Sequence, residues 1–183
     1  MAFVSAQDYL TVGANINLLF NGDQEVIDET SLIFPVPSIF LEYNTFKEDR
    51  QLGFHLDGGA CFVYEEEDSL MLGLDAMIGP SFTLFPQNQS DLIISAGVTA
   101  GFMLGGTFKS EDTGDSAVGF VNIGVGSKIK YILESGLTLG LNFNYYPFMY
   151  VSSSKTENTI EETLEKEEQA FSVGISIGYT QYN

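Results

Sequence analysis

The side chains in this 183-residue chain that could do chemistry are few in kind: one histidine, His55, one cysteine, Cys61, and 25 carboxylates against seven Lys and Arg. A lone cysteine excludes an internal disulfide, a disulfide scaffold and a Cys-based zinc site. General-base catalysis by a loop histidine has no residue to perform it, because His55 lies within a strand-like segment and no other histidine exists. The carboxylates come in clusters: Asp23, Glu25, Asp28 and Glu29; Glu65, Glu66, Glu67 and Asp68; Glu111, Asp112 and Asp115; then Glu157, Glu161, Glu162, Glu165, Glu167 and Glu168. Such clusters gather Ca²⁺ or Mg²⁺ weakly, but they lack the spaced ligands and turn glycine of a dedicated loop site. No cofactor and no dedicated metal site are expected. Gly124-Val125-Gly126-Ser127-Lys128 has the wrong spacing for a phosphate loop, and no helix follows it.

The elements that must position these groups read as strands. From Leu10 to Phe20, the apolar series Leu10, Val12, Ala14, Ile16, Leu18 and Phe20 alternates with Thr11, Gly13, Asn15, Asn17 and Leu19. A period of two is strand periodicity. Similar segments lie at about 31 to 44, 51 to 64, 70 to 85, 92 to 106, 118 to 131, 136 to 151 and 170 to 180, with no convincing helix between them. Eight consecutive strands without helical crossovers must pair antiparallel, as a meander. Residues 1–7 read as the remnant of an export signal or an ordinary disordered terminus, and 8–183 as a single domain.

Composition narrows the setting. Net charge is −18 although only 17% of residues are charged, so a nucleic-acid partner is excluded for want of clustered Lys and Arg. With 44% apolar and 13% aromatic residues, the chain is far too hydrophobic for disorder. No apolar run is long enough for a transmembrane helix.

The second face of each strand decides between water and lipid. In 51 to 64 it carries Gly53, His55, Asp57, Gly59 and Cys61; in 170 to 180 it carries Ser172, Gly174, Ser176, Gly178 and Thr180. This face is small and nearly uncharged. A soluble barrel would need Lys and Glu there, facing solvent. Small residues inside and Leu, Ile and Phe outside suit a closed eight-stranded barrel in a membrane, where closure pairs every backbone polar group. Tyr9, Phe20, Tyr43, Tyr64, Phe85, Tyr131 and Tyr179 near the strand ends are expected to form an interfacial girdle. Pro35 and Pro37 predict a second strand that is bulged or short of ladder bonds, with a lateral opening as the alternative.

Connections alternate between short and long, and the four acidic clusters fall in the long ones, which hold −14 of the −18. Long loops lie outside in such barrels, leaving both termini periplasmic. The fourth, Thr156 to Gln169, reads as a short surface helix or a mobile excursion, with Ile160 and Leu164 one turn apart.

On the inward parity the ionisable residues are Glu42, His55, Asp57, Asp75, Lys128 and Lys130. Ions in a narrow barrel are costly unless paired, so Lys128 and Lys130 are expected to meet Glu42 and Asp57 across the lumen. Such a cluster either gates a small pore or fills the interior as a polar network.

In architecture, over roughly Asp8 to Tyr182, the chain resembles the small eight-stranded outer-membrane barrels: the OmpA transmembrane domain, OmpX, OmpW and the opacity proteins. The resemblance implies export, insertion by the outer-membrane assembly machinery, and either a narrow pore or a surface anchor. Some such barrels are acyltransferases or deacylases with a histidine at the outer rim, which this chain lacks, so no enzyme is expected. The leading expectation is a narrow passive channel with an acidic mouth. The alternatives are a plugged barrel whose acidic loops bind a basic partner, and a soluble barrel holding a hydrophobic ligand.

Overall fold

A computed structural model describes residues 6–21, 33–47, 51–65, 69–84, 91–107, 116–157 and 160–182. Among them eight strands run in order, β1 (Ala6–Asn21), β2 (Ile33–Lys47), β3 (Leu52–Glu65), β4 (Ser69–Leu84), β5 (Asp91–Thr107), β6 (Ser116–Ile132), β7 (Leu137–Glu157) and β8 (Ile160–Tyr182). Each pairs antiparallel with its neighbours, and β8 closes on β1. No helix occurs among the described residues.

The register sets the tilt. Following paired residues once round the wall, from Gln7 through Phe46, Gly53, Ser81, Ser95, Lys128, Asn142 and Gly174, the path returns to β1 at Asn17, ten positions further along. With eight strands at ordinary spacing this stagger corresponds to a tilt of roughly 40° and a lumen wide enough for side chains.

Alternation places the apolar residues outside. Ile39, Ile175, Leu72, Leu104, Val98 and Ile123 are all more than half exposed, Ile175 at 64%. Buried polar residues line the inside, among them Thr11, Asn15, Asn44, Ser95, Thr99, Asn142 and Ser172. This inverts a soluble protein and matches a barrel in lipid. Purified protein should accordingly remain monodisperse only with detergent and migrate differently on gels with and without heating. A monodisperse, detergent-free solution would establish the soluble-barrel alternative instead.

Several local expectations need correction. Residues 152–157 and 160–169 are neither helix nor excursion: β7 and β8 stay paired from Ser152↔Glu165 up to Glu157↔Ile160. In sequence, Glu, Lys, Ser and Thr occur at both parities there, so no period of two marks the segment. Among the described residues the pairing of β8 with β1 reaches Asn21↔Ala170, and that with β7 continues to Glu157↔Ile160. Nor is β2 bulged: its ladder with β1 runs unbroken from Phe20↔Ile33 through Pro35 and Pro37. The ladder with β3 ends at Ser38↔Cys61, where the prolines offer no N–H. The register shifts fall instead between Ile123 and Val125 in β6 and between Tyr146 and Met149 in β7, around Pro147. Tyr9 belongs to the inward parity and is fully buried, so it is not part of a girdle; Tyr131 and Tyr179 are exposed on the outside.

The turn after β6 is well defined. Gly136 takes φ +82° and donates its N–H to the Leu133 carbonyl at 2.8 Å, a conformation glycine adopts without steric cost.

Candidate functional site

The lumen is built in layers, each two residues further along the strands than the last. At the end that carries the termini and the Leu133–Gly136 turn, Tyr9, Phe46, Ile93 and Ile132 form one buried apolar cluster, drawn from β1, β2, β5 and β6. Tyr9 and Phe46 meet edge to face at 5.6 Å, and the Tyr9 hydroxyl donates to Asp91 Oδ2 at 3.0 Å. These side chains form a floor across the lumen.

An ionic layer lies directly above it. Lys130 follows Ile132 on the inward face of β6 and pairs with Glu42 on β2, four strands away in an eight-stranded barrel and therefore on the opposite wall. Lys130 also donates to Thr11 Oγ1 at 3.2 Å; Thr11 meets Thr180 at 2.8 Å, and Thr180 meets Thr138 at 2.6 Å. Glu42 accepts a further bond from Asn44 Nδ2 at 2.6 Å. Register placed these groups: Asp57 is the direct β3 partner of Glu42, and His55 that of Asn44. His55, fully buried, donates from Nε2 to Asp57 Oδ2 at 3.1 Å, while its Nδ1 lies 3.1 Å from Asn44 Oδ1 and 3.6 Å from Glu42 Oε1. Lys128, one inward step above Lys130, pairs with Asp57 and sits 5.4 Å from the Phe40 ring centroid.

Five of the six inward ionisable residues thus form one connected network. The sixth does not. Asp75 is the β4 partner of Gly59, half-buried one layer higher, and pairs with no lysine or arginine among the described residues. Glu42, His55 and Asp57 offer ligand atoms within 4.8 Å of one another, a spacing that could suit a metal. Both carboxylates, however, are already neutralised by lysine.

Above the ionic layer the lumen widens into a cavity of about 1070 Å³ that touches β1 through β6, lined on its inward side by Phe40, Gly59, Asp75, Gly101 and Asn122. One space can meet six consecutive strands of a closed barrel only from within. A second space of about 860 Å³ faces β4 through β8, at Gly79, Gly97, Asn144 and Ser172. Beyond these, Tyr146, Met149 and Ala170 pack together, with Leu19 and Phe120 against them.

Of the acidic clusters, Asp23, Glu25, Asp28, Glu29, Glu66, Glu67, Asp68, Glu111, Asp112 and Asp115 lie outside the described residues. The described strand ends put the connections that contain them at the end opposite the floor. Glu65 ends β3, and Glu161, Glu162, Glu165, Glu167 and Glu168 belong to β8.

Sequence reasoning missed the floor residues, the threonine relay and Asn44. Inward parity at the short-turn end marks Tyr9 and Ile93. Strand order alone sets β6 opposite β2, and the expected pairing of Lys128 and Lys130 with Asp57 and Glu42 is found; nothing in the sequence marks the heights at which opposing side chains meet.

No known family's sequence pattern matches the chain, and no curated protein matches it in sequence. Among solved structures it is similar to a major outer membrane protein of Thermus thermophilus, with 10% identity over 95% of this chain and 99% of that one, at a TM-score of 0.58. It is also similar to Ail, the attachment invasion locus protein of Yersinia pestis, with 11% identity over 97% and 99% of the two chains and a TM-score of 0.53. At these identities the likeness speaks for the fold: an all-β, closed eight-stranded barrel of the kind found in small outer-membrane proteins.

Proposed function

We propose that this chain is an outer-membrane β-barrel whose lumen is closed, a rigid scaffold that presents an acidic rim to basic partners. The observation that carries the reading is the floor of Tyr9, Phe46, Ile93 and Ile132, with the Lys130–Glu42 pair spanning the lumen just above it. An ion or sugar crossing here would have to displace close-packed apolar side chains and then separate a desolvated ion pair. The apolar exterior and the fold shared with outer-membrane proteins support the location. Insertion would require the outer-membrane assembly machinery, and both termini would lie in the periplasm.

The rim sets the chemistry of a partner. The acid-rich connections and the β7–β8 hairpin hold −14 of the net charge of −18. A surface of one sign attracts cations and repels anions over about one Debye length. Ail has been solved with the heparin analogue sucrose octasulfate; a polyanion of that type would be repelled here, and a basic peptide or loosely held divalent cations would be favoured. The channel reading retains one physical support, the open space above the ionic layer, but needs the floor to move.

In planar bilayers the wild-type protein should give no steady channel events, and proteoliposomes should not swell in sugars or amino acids. Polylysine should bind those proteoliposomes at low salt and dissociate as salt rises. Steady wild-type conductance, or swelling in sugar, would overturn the closed scaffold in favour of the channel.

A further inference from the structure

The inward-facing ionisable groups do not balance. Among the described residues Glu42, Asp57, Asp75 and, at the floor, Asp91 are four acids, Lys128 and Lys130 two bases; the two lysines are committed to Glu42 and Asp57, and Asp91 accepts from the Tyr9 hydroxyl. Asp75 is left over. Around it stand Gly59 on β3, whose backbone N–H and Asp75's own donate to the carboxylate, Gly101 on β5, the titratable but uncharged Cys61 on β3 and Tyr146 on β7, and, among charged groups, the Asp57–Lys128 pair one layer below. A half-buried carboxylate served by backbone N–H groups but with no lysine or arginine of its own still gains from a partner cation or a bound proton.

The space beside Asp75 is the larger cavity. Its volume of about 1070 Å³ reaches the upper end of the range typical of small-molecule sites. On the inward parity the lining mixes one aromatic ring, Phe40, one carboxylate, Asp75, one carboxamide, Asn122, and the glycines Gly59 and Gly101. The floor and ionic layer lie below it, and the strand ends that lead into the acid-rich connections lie on its far side. Apolar body, single anion and an electronegative approach together specify a ligand.

We propose that this cavity is a binding site for a small organic cation, an ammonium group on an apolar or aromatic body, held by the Asp75 carboxylate with the body against Phe40. The rim concentrates cations at the mouth, the missing counter-ion at Asp75 supplies the charge contact, and desolvation inside the barrel makes that contact stronger than at the surface. The inference goes beyond the closed-scaffold reading: conductance reports on the floor, whereas binding reports on Asp75.

Phenethylammonium chloride is a suitable probe, titrated by calorimetry into the full chain in detergent micelles at moderate salt, beside 2-phenylethanol and phenylacetate. The cation should bind saturably at one site, the alcohol at least tenfold more weakly, and the anion not at all. Asp75→Asn should weaken binding of the cation tenfold or more, and Asp75→Glu should restore most of it. Equal binding of all three probes, or unchanged affinity in Asp75→Asn, would overturn the site. Should Asp75→Asn fail to fold, the ranking of the three probes on the wild type still decides. An absence of any saturable binding would mean that Asp75 is satisfied by a proton, which also overturns it.

Discussion

Replacing Lys130 by Met should destabilise the barrel by about 3 to 5 kcal/mol, because it leaves Glu42 charged and unpaired in a closed interior. Glu42 is 3% exposed, and its remaining partners, Asn44 and His55, cannot supply a fixed cation in place of the Lys130 ammonium. The effect should be larger than that of an ordinary surface ion pair, which contributes less than about 1 kcal/mol. Urea unfolding in micelles, followed by heat-modifiable gel mobility and far-UV circular dichroism, measures it. The double variant Lys130→Met with Glu42→Gln should recover most of the loss, since it removes both charges together. Loss of less than about 1 kcal/mol in the single variant would mean that water, not lysine, solvates Glu42.

A second large structural effect is expected from Gly97→Val. A Cβ at Gly97 would collide with the Ile78 carbonyl and lie 3.1 Å from Gly79 Cα; a Cβ at Gly79 would collide with the Ala96 carbonyl and lie 2.6 Å from Gly97 Cα. These are backbone atoms of the adjoining strand, so no rotamer change relieves them. The β4–β5 ladder already skips Gly79 and Pro80 between Ile78↔Val98 and Ser81↔Ser95, leaving little bonding there to resist separation. Overpacking at this seam should cost at least about 2 kcal/mol, and for the branched Val the folded, heat-modifiable band should be lost. Gly58→Ala is the matched control. Its side chain would point outward, with nothing nearer than 3.7 Å, and stability should stay within about 0.5 kcal/mol. Normal folding of Gly97→Val would show that the two strands can part here at little cost.

The contrast between the two glycines marks a limit of reading the chain. Both sit in alternating strands, and parity assigns Gly97 inward and Gly58 outward. That the inward one touches a neighbour's backbone follows from how sharply the closed sheet coils, a property of strand number and stagger together. The ion pairs divide the same way. Parity put Glu42, His55, Asp57, Asp75, Lys128 and Lys130 on one face, and two-residue spacing put Asn44 beside Glu42. Which lysine meets which acid depended on a stagger of ten residues around the wall, since that sets the height of β6 against β2 and β3.

Sequence and structure diverge where the period-two signal is weak or where one chemical fact has two geometric outcomes. Residues 152–157 and 160–169 carry charge at both parities, so their strand pairing leaves no pattern to find. Two prolines in β2 remove donors, but whether the strand bulges or stops bonding on one side depends on the β1 ladder holding it straight. Tyr9 has the composition of an interfacial aromatic, and its inward parity makes it part of the floor.

What the sequence determined by itself was the inside and outside of the wall, the strand count and the antiparallel order, because all three depend on local alternation and connection length. Only the tertiary structure decided that the lumen is closed at one end, that two lysines are matched to two acids, and that Asp75 is left facing a cavity. Those facts concern distances between strands remote in the chain, and closure of the barrel fixes such distances all at once.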